Sequence, residues 1–177
     1  MAMSKSEVKD LLKKALEESK ENIKDCVKEA LEEIKPVNPV KKYIIYKKSA
    51  AFQFQLGFGK RGGAVFLEAA SAKAERLYDW ENKIVFALSP KDIGMLLVGF
   101  KQGKAKIFHD PGAQTESQGN IVKTLFLQSA SPGTWFLTLT EKQGEAEKQF
   151  KVSVTSDEAR VLSELLAYSL PQLLGWG

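Results

Sequence analysis

The sequence predicts an α+β fold, in which a set of strands followed by a helix occurs twice along the chain. One observation is a strand-like alternation of large apolar residues with small or polar ones, seen at Phe52, Phe54, Leu56 and Phe58. Another is the order of the segments: strand patterns between residues 41 and 88 precede a helical pattern, and strand patterns between residues 104 and 154 precede a second one. Strands and apolar helices grouped in this way are typical of the α+β class.

The two helices of this body have recognisable ends. Ser89 and Pro90 suit the N-cap and the first position of a helix, and Gly99 is predicted to end it. Residues 155–158 have the pattern of a capping box, and Pro171 is predicted to interrupt the helix that follows. This last helix is apolar over more than one face, which predicts burial in the core or in a subunit interface.

A long amphipathic helix is predicted ahead of the body, from about residue 4 to residue 35. Apolar residues recur there at steps of three and four, and Pro36 and Pro39 then break the pattern. We therefore predict two parts: an N-terminal helix with a Pro-rich connector at residues 1–37, and the main domain at residues 38–177.

Positive charge is concentrated in the middle of the chain. Residues 36–106 carry 13 Lys and Arg against 5 Asp and Glu, whereas the whole chain has a net charge of +4. This suits a polyanionic partner, although a solvated basic face without a partner would have the same composition. No apolar run approaches the roughly 20 residues of a membrane span, and one Cys with one His makes a poor metal site. We expect no membrane partner, no metal, no cofactor and no small-molecule substrate.

The only histidine, His109, lies beside Asp110 at the end of a predicted strand. A catalytic histidine needs a nucleophile or a second ligand, and the sequence supplies no second His and no plausible Cys partner. We therefore interpret His109 as a structural residue, with contact to a phosphate or base as the alternative. We expect a protein that is not an enzyme, with no catalytic residue.

Aromatic residues interleaved with Lys and Arg predict a surface for single-stranded nucleic acid, because unpaired bases stack on rings while cations follow the phosphates. The candidates are Tyr46, Lys47, Lys48, Phe52, Phe54, Lys60, Arg61, Tyr78, Trp80, Lys83, Lys104, Lys106 and Trp135. For any single Phe a core position is the competing interpretation, since strand aromatics usually pack inward. The aromatic residues assigned to the core outright are Phe86, Phe100 and Phe136.

Five segments, YDWENKIVFALSPKDIGML, FHDP, GNIVKTLFL, VSVTSDEARVL and LPQLLGW, resemble in order and spacing the Whirly family of single-stranded-DNA-binding proteins. The resemblance implies two antiparallel four-stranded sheets packed roughly perpendicular, with helical elements at the base. It implies a homotetramer that binds single-stranded DNA over its sheets, in replication, repair, recombination or transcription. We assign to the oligomer interface Leu162, Leu165, Leu166, Leu173, Leu174 and Trp176.

The segment from Ile45 to Phe54 resembles the family's Lys-Gly-Lys-Ala-Ala-Leu stretch, which is tied to DNA binding and to assembly of tetramers into larger particles. Lys48 occupies the position of the Gly in that stretch, and Ser49 occupies the position of its second Lys. Assembly beyond the tetramer therefore has less support here.

Two other functions remain open. One is RNA binding by the same fold, because ring stacking does not distinguish ribose from deoxyribose. The other is a structural scaffold that docks a partner through the N-terminal helix. We expect a cytoplasmic or nucleoid-associated protein, or an organellar one if a transit peptide has been removed.

Overall fold

The computed structural model describes residues 42–59, 62–110 and 121–176, together with Glu17, Ser19, Lys20, Ile23 and Lys24. The predicted N-terminal helix and the predicted division at residue 37 fall mainly outside these residues, so both stay predictions. Lys60 and Arg61 also lie outside them. The region from Lys41 to Gly177 forms one compact unit.

The strands and helices of this unit follow the order that the sequence predicts, with a set of strands and then a helix occurring twice. In chain order they are β1 (Lys42–Tyr46), β2 (Ala50–Gly59), β3 (Gly62–Ala74), β4 (Leu77–Tyr78), β5 (Ile84–Leu88), α1 (Pro90–Gln102), β6 (Lys104–His109), β7 (Ile121–Ser131), β8 (Thr134–Gln143), β9 (Ala146–Thr155) and α2 (Ser156–Leu174). A short 3-10 helix at Trp80–Asn82 joins β4 to β5. The α+β class and the two antiparallel sheets are confirmed.

The first sheet has the strand order β1-β2-β3, with both β4 and β5 paired to β3. It therefore has four main strands, as expected, and a fifth of only two residues, β4. One row of paired residues runs across the inner face through Ile45, Phe52, Ala69 and Ile84. All four are at most 1% exposed, which fixes this face as the buried one.

The second sheet has the order β6-β7-β8-β9. Its inner row pairs Leu127 with Leu137 and Leu137 with Val152, all of them buried. A single hydrophobic core contains side chains from both sheets and both helices. Because strand side chains alternate between faces, this inner row leaves residues 126, 136 and 151 on the opposite face.

The predicted helix starts are confirmed, and the predicted ends are wrong. Ser89 caps α1, and the capping box at residues 155–158 is formed at the start of α2. However, α1 continues past Gly99 and ends at Gly103, which has a φ of 85°. Gly99 instead lets the helix pack closely against β6, because a β carbon there would lie 2.5 Å from that of Ala105. Likewise α2 runs through Pro171, one turn before its end at Gly175.

No helix among the described residues is long and apolar enough to cross a membrane. The described residues also contain no group of three His, Cys, Asp or Glu side chains placed to hold a metal ion.

Candidate nucleic-acid interface

The outer face of the second sheet carries aromatic rings beside lysines. Lys106 on β6 pairs with Phe126 on β7, and Phe126 pairs with Thr138 on β8. We call this surface the Phe face and define it by Lys104, Lys106, Phe108, Phe126, Phe136 and Lys151. Phe108 is 57% exposed and Phe136 is 36% exposed. Large rings with this exposure are available to a ligand.

Three rings of the Phe face form a diagonal across neighbouring strands. Phe108 lies two residues beyond Lys106, the partner of Phe126, and Phe136 pairs with Gln128, two residues beyond Phe126. Diagonal neighbours in a sheet are about 7–8 Å apart. The rings therefore follow one line from β6 to β8.

Two lysines lie over rings of this face. The Lys151 Nζ atom is 3.8 Å from the centroid of the Phe136 ring, and the Lys104 Nζ atom is 5.9 Å from that of Phe126. A ring face attracts a cation at this distance, and this attraction holds the two ammonium groups at the surface. The Phe face thus places ammonium groups within reach of any phosphate beside a stacked base.

A second group of aromatic side chains lies on the first sheet and on the short 3-10 helix that follows β4. The ring centroids of Tyr46 and Tyr78 are 5.4 Å apart, and those of Tyr78 and Trp80 are 6.3 Å apart. We call these three residues the Tyr-Trp cluster. Tyr46 is 56% exposed, whereas Tyr78 and Trp80 are partly buried. Tyr46 therefore offers the most ring surface in this cluster.

Asp79 fixes the turn that carries this cluster. Its carboxylate accepts hydrogen bonds from the backbone and side chain of Asn82 and pairs with Lys73 at 3.0 Å. The hydrogen bond from the Asn82 side chain, followed by that from Lys73, holds the pKa of Asp79 below its ordinary value. Asp79 is thus a charged anchor for the short helix at Trp80–Asn82.

Two predicted phosphate ligands are engaged within the protein. The Lys47 Nζ atom lies 2.8 Å from Glu158, and the Lys83 Nζ atom lies 2.7 Å from Glu68. Each ammonium would have to leave a partly buried carboxylate, or share it, before contacting a phosphate. Lys48, Lys104 and Lys106 are exposed and form no ion pair among the described residues.

Burial in the structure bears on four of the aromatic predictions. Phe52 and Phe54 are buried in the core at 0% and 5% exposure, because their face of β2 is the inner face. Trp135 packs edge-on against Phe100, at 5.6 Å between ring centroids, and is partly buried. Phe136, assigned to the core, lies instead on the exposed face. The core positions of Phe86 and Phe100 are confirmed.

The candidate interface residues of α2 divide into two groups. Leu162 and Leu166 are 1% exposed and face the core of their own chain, because they lie one helical turn apart on the side that packs on the sheets. Leu173 packs against the same core. The exposed members are Leu165 at 47%, Leu174 at 48% and Trp176 at 82%.

His109 occupies a structural position. Its Nε2 atom lies 3.0 Å from the Asp92 carboxylate, and its ring stacks on Phe86 at 4.2 Å. Asp92 also accepts hydrogen bonds from the backbone and hydroxyl of Ser89 at the start of α1. His109 therefore links β6 to a helix cap and to a core ring.

Sequence reasoning missed four of the six residues of the Phe face as possible ligand contacts: Phe108, Phe126, Phe136 and Lys151. A usable signal was present: Leu137 and Leu139 alternate with Phe136 and Thr138. The more strongly apolar set of an alternating strand faces the core, which leaves the Phe on the other face.

The fold and these surfaces define a two-sheet α+β protein with exposed aromatic and basic faces of the kind that suits single-stranded nucleic acid. A family model described as Whirly transcription factor matches residues 55–165. The chain belongs to the Whirly family, as its resemblance indicated.

Named relatives and solved structures agree with this assignment. The chain is 31% identical, over 66% of its length and 50% of the relative's, to the mitochondrial single-stranded DNA-binding protein WHY2 of Arabidopsis thaliana. It is 30% identical, over 76% of its length and 56% of the relative's, to the chloroplastic single-stranded DNA-binding protein WHY1 of Zea mays. The crystal structure of WHY3 from Arabidopsis thaliana superposes with a TM-score of 0.68 at 26% identity, covering 76% of this chain and 89% of that one. The chain spans about half the length of the curated relatives it matches.

Proposed function

We propose that this protein binds single-stranded DNA, largely without sequence preference, on exposed aromatic and basic surfaces of its two sheets. The observation that carries the proposal is the Phe face, where three rings lie on one line with Lys104, Lys106 and Lys151 beside them. The relatives named as single-stranded DNA-binding proteins support the same function.

Stacking on the Phe face would select single strands over duplex. The sheet positions that carry successive rings are about 7–8 Å apart, roughly twice the step of about 3.4 Å between stacked bases along one strand. Bases on successive rings would have to be unstacked from one another, which a duplex resists. Because every base offers a ring face, this mechanism tolerates any sequence. The role is binding rather than catalysis, in line with the relatives' names.

We include the Tyr-Trp cluster, with Lys48 beside it, as a second contact surface. Tyr46 supplies an exposed ring, and Lys48 supplies an exposed charge at the adjacent turn. Phe52 and Phe54 are left out because a base cannot reach a buried ring. Lys47, Lys83 and Trp135 would contribute indirectly, by fixing the elements that they join.

A homotetramer is part of this proposal. Several apolar side chains of α2 and of the residues after it are exposed, and a subunit contact would cover them: Val161, Leu165, Tyr168, Leu174 and Trp176. Their burial would contribute about 25 cal/mol for each Å² of apolar surface removed from water. Light scattering coupled to gel filtration should give four times the 19.6 kDa chain mass, and a monomer would contradict this part.

The cellular role that we propose is protection of exposed strands in replication, repair or recombination, or action in transcription. The mitochondrial and chloroplastic relatives support an organelle as the compartment, and none of the findings supports the cytoplasm.

The decisive experiment is equilibrium binding by fluorescence anisotropy, with oligo-dT, an RNA of the same length and a duplex across a salt series. We expect tight binding to oligo-dT, weaker binding to duplex, and affinity that falls as salt rises. Equal affinity for the blunt duplex at matched salt would refute the stacking mechanism. RNA bound as tightly as DNA would favour the RNA-binding alternative.

A deletion of residues 1–37 tests the scaffold alternative. A single-strand binder should keep most of its affinity for oligo-dT without this segment, because both proposed surfaces lie in the main domain. A large loss of affinity would show that the N-terminal segment is needed for binding.

A further inference from the structure

A basic groove lies beside the Tyr-Trp cluster, between the β1–β2 turn and the β3–β4 turn. Its volume is about 830 Å³, and Tyr46 and Tyr78 form part of its wall. The charged side chains that line it are Lys47, Lys48, Lys73, Glu75 and Arg76. Four of these side chains are cations and one is a carboxylate, and the sequence interpretation included neither Lys73 nor Arg76 among the ligands.

The cations of the groove differ in how they are engaged. Lys47 pairs with Glu158, and Lys73 pairs with Asp79. Among the described residues, Lys48 and Arg76 form no ion pair, and both are exposed. The charge open to an anion in this groove therefore comes mainly from these two side chains.

The backbone at Arg76 is unusual. Its φ is 60°, and it is the single residue other than Gly with a positive φ among those described. A tight turn at such a position favours Gly or Asn, because a side chain with a β carbon is strained there. An Arg at a strained position is a candidate for a functional role, since strained residues cluster at functional sites.

The turn that carries Lys48 is fixed from several sides. The Tyr78 hydroxyl donates to the Lys47 carbonyl at 2.9 Å, and the Ala72 N–H donates to the Ser49 carbonyl at 2.9 Å. The ion pair of Lys47 with Glu158 ties the same turn to the start of α2. These contacts fix the backbone of the turn that holds Lys48 on the rim of the groove, so that little backbone entropy is lost when a ligand binds there.

We propose that Arg76 and Lys48 form a phosphate-binding subsite, with Lys47 as a positioning residue rather than a phosphate ligand. The proposal rests on the proposed function, since the phosphate is that of a single strand whose neighbouring base stacks on the exposed ring of Tyr46. The guanidinium of Arg76 supplies two parallel donors for phosphate oxygens, and Lys48 supplies a second charge.

The test measures oligo-dT affinity against salt for the variants R76G, R76Q, K48M and K47M. Losing one phosphate contact reduces the salt slope by about 0.7 for single strands, and we expect this for R76G, R76Q and K48M. At low salt each should bind about tenfold more weakly, as for one lost charged hydrogen bond. K47M should lower the unfolding temperature and weaken oligo-dT binding with the slope unchanged, because it loosens the turn that carries Lys48 without removing a phosphate contact.

Two comparisons between variants distinguish a binding role of Arg76 from a purely structural role. R76G relieves the backbone strain, so its unfolding temperature should equal or exceed that of the unchanged protein while its affinity falls. R160Q removes an exposed Arg from α2 and should change neither slope nor affinity. If the unchanged protein binds oligo-dT and R76G matches its slope and affinity, this proposal alone is overturned. If the unchanged protein does not bind, the proposed function fails with it.

Discussion

Replacing Phe136 by Ala tests the central feature of the binding surface. A ring that stacks on a base contributes about 1–3 kcal/mol, so its loss should weaken oligo-dT binding by about 5- to 150-fold. We expect the lower part of this range, because Phe136 is 36% exposed and the Lys151 Nζ atom already lies 3.8 Å from its ring centre. The same change should cost little stability, since part of the ring is in water in the free protein.

Phe52 supplies the contrast, because it lies on the inner face and is 0% exposed. Phe52→Ala should lower the free energy of unfolding by about 3–5 kcal/mol, as for a buried ring replaced by a cavity. In a chain of this size that lowers the unfolding midpoint by about 6–20 °C. Phe136→Leu is a matched control for the site itself, because it keeps apolar volume and removes the ring face.

The assay is anisotropy for affinity and calorimetry for the unfolding midpoint, on the same preparations. The expected result is weaker binding by both Phe136 variants at nearly unchanged midpoints, with Phe52→Ala strongly destabilised. Unchanged affinity of Phe136→Ala would refute stacking on this ring. A midpoint as low as that of Phe52→Ala would instead show that Phe136 is a core residue, as the sequence pattern predicts.

Two further predictions concern packing and charge. Gly99→Ala should destabilise the protein by about 1–3 kcal/mol, since the new β carbon would lie 2.5 Å from that of Ala105. A β carbon at Gly94 in the same helix meets nothing within 4 Å, so Gly94→Ala should stabilise the protein by about 0.5–1 kcal/mol. Chemical denaturation measures the free energy of unfolding of both variants. Equal effects of the two substitutions would contradict the close packing of α1 at Gly99. The pKa of Asp79 is lowered in the folded protein, so its charge stabilises the fold when the pH is above the ordinary pKa of 3.8. This contribution is lost as the pH falls through the lowered pKa. Asp79→Asn should therefore be less stable than the unchanged protein near pH 6, by a margin in melting temperature that shrinks toward pH 3; a constant margin would show that the charge is not responsible.

Much of the fold could be predicted from local sequence signals. Ser89 with Pro90, and the capping box at residues 155–158, mark helix starts because the capping chemistry is complete within four residues. The helix ends were predicted less well. Gly99 and Pro171 are usual helix breakers, but tertiary packing of α1 against β6 and the position of Pro171 in the last turn of α2 outweigh those preferences.

The sequence by itself determined the class of the fold, the strand periodicity, the basic middle segment and the resemblance to the Whirly family, because these depend on residue order and composition alone. The tertiary structure decided which side of each strand is exposed and which lysines are already paired. Alternation places Phe52 and Phe54 on one face of β2 without showing that this face meets the core. Likewise Lys47 and Glu158 are 111 residues apart in sequence and meet because the folded chain brings the turn after β1 to the start of α2. Exposure and charge pairing arise from contacts between distant segments. These two properties distinguish Phe136 and Lys48, which are open to a ligand, from Phe52, Phe54 and Lys47, which stabilise the fold.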